Sequence, residues 1–307
     1  MANGNGVSPT TIKAYLAELR TRLKGQPAAL IQDALADCEE HLRAARADAG
    51  AQSEADVLAE IIETFGTPQE VAEEYVAMEQ AIKGPFASAS ATTIDDRDVE
   101  RGPGFFGVLI DPAAYGALIY MLLSLATGIF YFTWAVTGVS LSVGLAILII
   151  GIPFALLFIG SVRVIGWIEG RIVEALLGVR MPRRAPSSPG GGTLMENIKA
   201  VLKDGRTWTS LIYMILHLPL GVLYFCIAVI SGAVSLGVLS SAIYEIATGQ
   251  NTVQVQGYPE LDAFFNTIPG LALLAVAGFL GIILTLHIAR VIGYIHGRIA
   301  EALLVRA

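Results

Sequence analysis

The stretch LIYMLLSLATGIFYF at residues 118–132 returns as LIYMILHLPLGVLYF at residues 211–225, identical at 9 of 15 positions. Both copies are apolar and carry no formal charge. A second block, RVIGWIEGRIVEALL (163–177), returns as RVIGYIHGRIAEALL (290–304), identical at 12 of 15 positions. Self-similarity over this length is the mark of a duplicated structural unit. The offset grows from 93 to 127 residues between the two blocks, so the second copy carries extra chain, most of it at 241–267. The first offset also aligns Asp111 with Asp204 and Tyr115 with Trp208.

The repeated stretches sit in long uncharged runs. Fifty-one residues separate Asp111 from Arg163, 38 separate Arg206 from Glu245, and 27 separate Asp262 from Arg290. A helix crossing a bilayer needs roughly 20 apolar residues. The first run is long enough for two spans and the others hold one each, which predicts spans near 113–137, 141–162, 209–232 and 268–289. Val234–Tyr244 is too short to cross and reads as an extension of the third span or an interfacial segment. Basic residues cluster at 163–208 and at Arg290, Arg298 and Arg306, whereas 241–267 has none. By the positive-inside rule both termini are then cytoplasmic in a multi-pass cell-membrane protein. Nothing before residue 105 resembles the apolar core of a signal peptide.

Each copy is thus a helical hairpin with a basic cytoplasmic tail. Hairpins that both enter from the cytoplasm are parallel repeats about an axis along the membrane normal, which disfavours the inverted-repeat transporter architecture. Asp111 and Asp204 stand where helices start and suit free N–H groups there. Tyr115, Trp208, Trp167 and Tyr294 fall at the expected interface. Gly166 and Gly170, like Gly293 and Gly297, have the four-residue spacing of close helix packing. Arg171 with Glu174, and Arg298 with Glu301, are paired at i,i+3. The block reads either as a helix leaving the membrane along its surface or as a coupling element to a partner.

Composition agrees with this division. The chain is 54% hydrophobic and 15% charged, with a mean hydropathy of +0.62. That excludes a disordered chain and an ordinary soluble enzyme. The net charge of −7 is uneven: residues 1–100 carry 8 basic and 18 acidic side chains, the rest 12 and 9. The acidic head has helical spacing at Tyr15, Leu16, Leu19 and Leu23, at Ile31, Leu35, Cys38 and Leu42, at Val57, Leu58, Ile61 and Ile62, and at Val71, Tyr75 and Ile82. Ser53 and Thr67 open capping boxes, with Pro68 at the first helical position. The expected fold is all-α: a four-helix cytoplasmic domain (9–82), a flexible linker (83–104), hairpin repeat 1 (105–180), a cytoplasmic linker (181–203) and hairpin repeat 2 (204–307). Two cysteines, Cys38 and Cys226, are not expected to form a disulfide.

Candidate chemistry is sparse. No HExxH, paired-cysteine or metal-ligand spacing occurs, and no catalytic residue, cofactor or metal is expected. His41, in an acidic helix, reads as an exposed histidine. His287 and His296 are assigned to the cytoplasmic interface. His217 is the one ionisable group expected well inside a span, two residues before Pro219 and in place of Ser124 of the first copy. It is a candidate sensing residue, read alternatively as a neutral histidine bonded to a neighbouring helix. Glu245, Glu260 and Asp262 join it as candidates, on an outer loop that either lids a cleft or merely connects two spans.

Two resemblances follow from these residues. Tyr15-Leu16-Ala-Glu-Leu19, the acidic second helix, and Phe65-Gly66-Thr67-Pro68-Gln-Glu-Val-Ala-Glu-Glu-Tyr75 resemble the HAAS signalling domain, with Phe65, Gly66, Pro68 and Tyr75 as its structural motif. Asp111-Pro-x-x-Tyr115, LATGIFYF (125–132), TGVSLSVG (137–144), Gly151-Ile-Pro153 and EALLGVR (174–180) resemble the "putative sensor" transmembrane domain found at the front of many actinobacterial histidine kinases. The resemblance implies a membrane sensor or regulator without a catalytic output domain, since the chain ends directly after the second repeat. It implies a cytoplasmic protein partner, a PadR-like repressor or a two-component system protein. Membrane lipid is the other expected contact. Direct nucleic-acid binding does not suit an acidic head, and homo-oligomerisation stays open. The alternatives are a small transporter or channel, or a membrane assembly factor.

Overall fold

A computed structural model describes residues 9–50, 52–82, 104–145, 151–183, 205–252, 254 and 256–305. It is all-α, with no strand among the described residues. The head contains α1 (Ile12–Arg22), α2 (Ala28–Asp48), α3 (Glu54–Phe65) and α4 (Pro68–Ile82). The body contains a 3-10 turn (Gly107–Ile110), α5 (Pro112–Leu145), α6 (Gly151–Leu177), α7 (Gly205–Thr248), α8 (Pro259–Phe265) and α9 (Ile268–Leu304).

The head helices begin and end where local chemistry requires. Ser53 Oγ accepts from the Asp56 amide. At α4 the capping box is complete: Glu70 accepts from the Thr67 amide at 2.8 Å, and Thr67 Oγ1 accepts from the Glu70 amide. Those bonds hold the exposed Glu70 carboxyl below its ordinary pKa. Gly66 has φ of +103°, a conformation that side chains other than glycine rarely adopt. Its carbonyl accepts from the Tyr15 hydroxyl at 2.9 Å, tying α1 to the α3–α4 turn. Phe65 stacks on His41, and Tyr75 donates to Asp37. Phe65, Gly66 and Tyr75 thus each touch another head helix, and Pro68 opens α4. Its core joins Tyr15, Leu19, Leu23, Cys38, Leu42, Leu58 and Val71.

Among the described residues of the body, three helices are long and apolar enough to cross a membrane: α5, α7 from Thr207, and α9. The 27-residue α6 packs against α5, and α7 packs against both α5 and α9. Val234–Tyr244 continues α7 without a break. Gly128 and Gly221, which the repeat offset relates, stand where the α5 and α7 backbones approach closely. A Cβ on Gly128 would stand 2.9 Å from the His217 carbonyl oxygen, and one on Gly221 would overlap that of Ser124. The α5–α7 crossing thus depends on missing side chains. Phe105, Phe106 and Ile110 are exposed at the foot of α5 around a buried Val108. Linker residues 83–103 and 184–203 lie outside the described residues, as does Asp204. The tether expected from 181 begins instead with packed chain, because Met181 is fully buried against Gly170.

Gly221→Ala is expected to destabilise the detergent-solubilised protein by about 2 kcal/mol through overpacking. Gly232→Ala, with no atom near its added methyl, should be neutral or slightly stabilising; thermal unfolding compares the two. Burial pushes the Cys38 thiol up to about 12. The head therefore gains stability from the neutral thiol that is complete below the unfolded pKa and lost as pH climbs towards 12. In a Cys226→Ser background, Cys38 should react with iodoacetamide at pH 8 only after denaturation.

Candidate functional site

Where the four long helices of the body converge, they bury a polar cluster. α5 supplies Tyr120, Thr127 and Tyr131; α6 supplies Glu169; α7 supplies Tyr213 and His217; α9 supplies His296. Glu169, His217 and His296 are 1%, 1% and 0% exposed. A bare carboxylate in such surroundings is costly unless it is bonded. Tyr120 and Tyr213 donate to Glu169 Oε1 at 2.7 and 2.9 Å, and Tyr131 donates to Oε2 at 2.7 Å. Among the described residues, no Lys or Arg pairs with Glu169. Three charge-assisted hydrogen bonds hold it instead.

Proton counting fixes His296. Each tyrosine has one hydroxyl hydrogen, and Tyr120 and Tyr213 spend theirs on Glu169. His296 Nε2, at 2.6 Å from Tyr120 Oη and 2.9 Å from Tyr213 Oη, must then be the donor. Its Nδ1 carries the lone pair, and that atom is buried without a hydrogen bond. His217 Nε2 lies 2.9 Å from Thr127 Oγ1. Thr127 Oγ1 also reaches the carbonyls of Leu123 and Ser124 within α5, at 3.3 and 3.4 Å. The His217 Nδ1 is likewise buried and unbonded. The two imidazole rings are 5.4 Å apart.

The cluster follows the internal repeat. Tyr120 and Tyr213 are equivalent positions, as are Ser124 and His217, Tyr131 and Tyr224, and Glu169 and His296. His296 was expected at the cytoplasmic interface; it is instead fully buried, because the helix carrying it turns that face to α5 and α7. Glu169 was not singled out at all. The visible signal was its exchange for His296 inside a block that otherwise differs only at Trp167/Tyr294 and Val173/Ala300. His287 is exposed and lies 3.2 Å from the Phe105 carbonyl oxygen.

The other sensing candidates do not join His217. Glu245 stands 28 residues further along α7, about 42 Å at helical rise. It accepts from the Thr252 amide at 2.9 Å, which folds its own loop. Glu260 is exposed on α8, and Asp262 accepts from Asn266 through its backbone carbonyl. The repeat motif residues do pack. Gly166 faces Ser210 and Leu304, Gly293 faces Ala117, and Gly297 faces Val179. Arg171 pairs with Glu174 at 2.6 Å, and Arg298 with Glu301 at 3.7 Å.

The cluster is wired to the head through a short path. Arg171, two residues beyond Glu169, donates to the carbonyls of Met181 and Pro182, both at 2.8 Å. Arg180 then bridges two nearly buried carboxylates of the head, Asp33 on α2 and Glu79 on α4, each at 3.0 Å. The Arg183 amide also donates to Asp33. Beneath this, Ala29 of the head packs with Met181, Tyr120, Tyr213 and Leu304.

An apolar helical bundle with a buried polar centre, capped by a docked acidic helical domain, fits a membrane protein. The chain belongs to the family described as "Putative sensor", whose model matches residues 120–304, and its head matches the HAAS model over residues 14–74. Both are signalling families. No curated protein and no solved structure matches.

Tyr213→Phe removes one hydroxyl from both Glu169 and His296. The expected loss is about 2 kcal/mol in thermal unfolding. Tyr115→Phe, whose exposed hydroxyl serves only the Leu109 carbonyl, should lose less than about 0.5 kcal/mol.

Proposed function

We propose that the protein is a multi-pass membrane sensor in which α5, α6, α7 and α9 all cross the bilayer as two parallel hairpins. Both termini are cytoplasmic, and the body reports a membrane or envelope condition through the head to a cytoplasmic protein partner. The observation that carries this reading is the Arg180 bridge to Asp33 and Glu79. It fastens the acidic head to the chain directly after α6, the helix that holds Glu169. A change in the buried cluster that moves α6 is felt at the head within eleven residues.

The basic residues Arg163, Arg171, Arg180, Arg183, Arg290 and Arg298 support the orientation. The partner proposed is a PadR-like repressor or a two-component system protein, a role consistent with a signalling head that is acidic overall.

Removing Arg180 leaves two nearly buried carboxylates without their shared cation, a change that typically costs about 3 kcal/mol. Full-length protein and its Arg180→Glu variant, captured from native membranes after crosslinking, test the proposal. The expected result is a PadR-like repressor or two-component protein bound by the wild type, with its yield altered about tenfold or more in the variant. Absence of both partner classes from both captures contradicts it.

A further inference from the structure

We propose that Glu169, His217 and His296 form a binding site for one divalent first-row transition-metal ion of the zinc class. As a signal, the ion rests on the sensor reading above; as a binding site, it rests on the geometry of the cluster alone. One ligand atom from each of the three side chains lies within 4.8 Å of the others. Zinc bonds to nitrogen and oxygen are about 2.0–2.2 Å long, so tetrahedral ligand atoms stand roughly 3.3–3.6 Å apart. Closing the cluster onto an ion shortens the widest of these separations by up to about 1.5 Å.

Four observations favour a metal. First, Nδ1 of both histidines is buried without a hydrogen bond, and at His296 the proton count leaves that atom a free lone pair. A buried acceptor with no donor is costly, and a metal ion is a natural acceptor of such a pair. Second, Glu169 brings a carboxylate with no cationic side chain paired to it among the described residues, and a bound cation would neutralise it. Third, the donors have an orienting shell in place. Tyr120, Tyr131 and Tyr213 fix the carboxylate, Tyr120 and Tyr213 fix His296 Nε2, and Thr127 fixes His217 Nε2. Metal-ligating histidines and carboxylates are commonly held this way. Fourth, the two copies of the repeat differ at these positions. Glutamate faces histidine at 169/296, and serine faces histidine at 124/217. Packing symmetry alone would not require that exchange; it turns a symmetric bundle into a mixed donor set.

The donor types select the ion. Two imidazoles and one carboxylate suit zinc and its neighbours, and three protein ligands leave a fourth position open. Calcium and magnesium require six or more oxygens and are disfavoured.

The test uses the full-length chain in detergent, with Cys226→Ser and without a polyhistidine tag, stripped by chelator and titrated with Co2+. The expected result is one Co2+ per chain, with the visible d–d bands of a four-coordinate nitrogen and oxygen site, displaced by Zn2+. Glu169→Gln, His217→Gln and His296→Gln should each weaken binding by about 100-fold or more, given that losing an orienting partner alone costs 10- to 100-fold. Tyr131→Phe should weaken it by about tenfold. Should those variants fail to fold, the wild type suffices: Zn2+ should raise its Tm in a concentration-dependent way. No stoichiometric Co2+ signal and no Tm shift in the wild type would overturn the proposal. Unchanged binding in both histidine variants would also overturn it. The assay contains no partner protein, so its outcome is independent of whether the head recruits one.

Discussion

A single carboxylate sets the terms for the bundle. Glu169 is buried among apolar helices, and the free energy of leaving it bare there exceeds anything packing can return. Three tyrosine hydroxyls from two other helices must therefore point at it, and two of them must in turn be met by His296 from a fourth. That requirement fixes the rotation of α5, α6, α7 and α9 about their own axes. The glycines complete the geometry. Gly128 and Gly221 allow α5 and α7 to cross closely enough for Tyr120 and Tyr213 to reach the same carboxylate oxygen.

The same helix that bears Glu169 ends in the segment that holds the head. Arg171 pins Met181 and Pro182, Arg180 engages Asp33 and Glu79, and Met181 fills the space between head and bundle. Ionic contacts at this joint suit a switch better than a purely apolar seam would. Their free energy is a small difference between attraction and desolvation, so a modest shift of the arginine changes it substantially. The buried cluster and the docked head thus share α6 as their mechanical link.

Much of this architecture was legible in the chain. Uncharged runs pointed to the long helices, although the break expected between residues 137 and 141 lies inside α5, which runs to Leu145; capping boxes and Gly66 located the head helices, and the repeat paired Tyr120 with Tyr213. His217 was visible because a histidine between Leu216 and Leu218 is conspicuous. Glu169 was not, because it lies among Arg163, Arg171 and Glu174, and a lone acidic residue in a charged block reads as surface. His296 was hidden for the same reason beside Arg298. Their burial is decided by which face of the helix meets α5 and α7, and that rotation is a tertiary property. The Arg180 bridge spans 147 residues to Asp33, a separation at which local sequence carries no signal. The outer-loop acids drew notice by standing alone in an uncharged region, yet Glu245 serves its own loop.

The most direct measurement is hydrogen exchange along the full-length protein in nanodiscs, wild type against Glu169→Gln. If the buried cluster and the head are coupled through α6, the substitution speeds amide exchange at residues 28–34 and 178–183, well outside the bundle. Exchange that changes around residue 169 while both distant segments keep their wild-type protection would contradict the coupling.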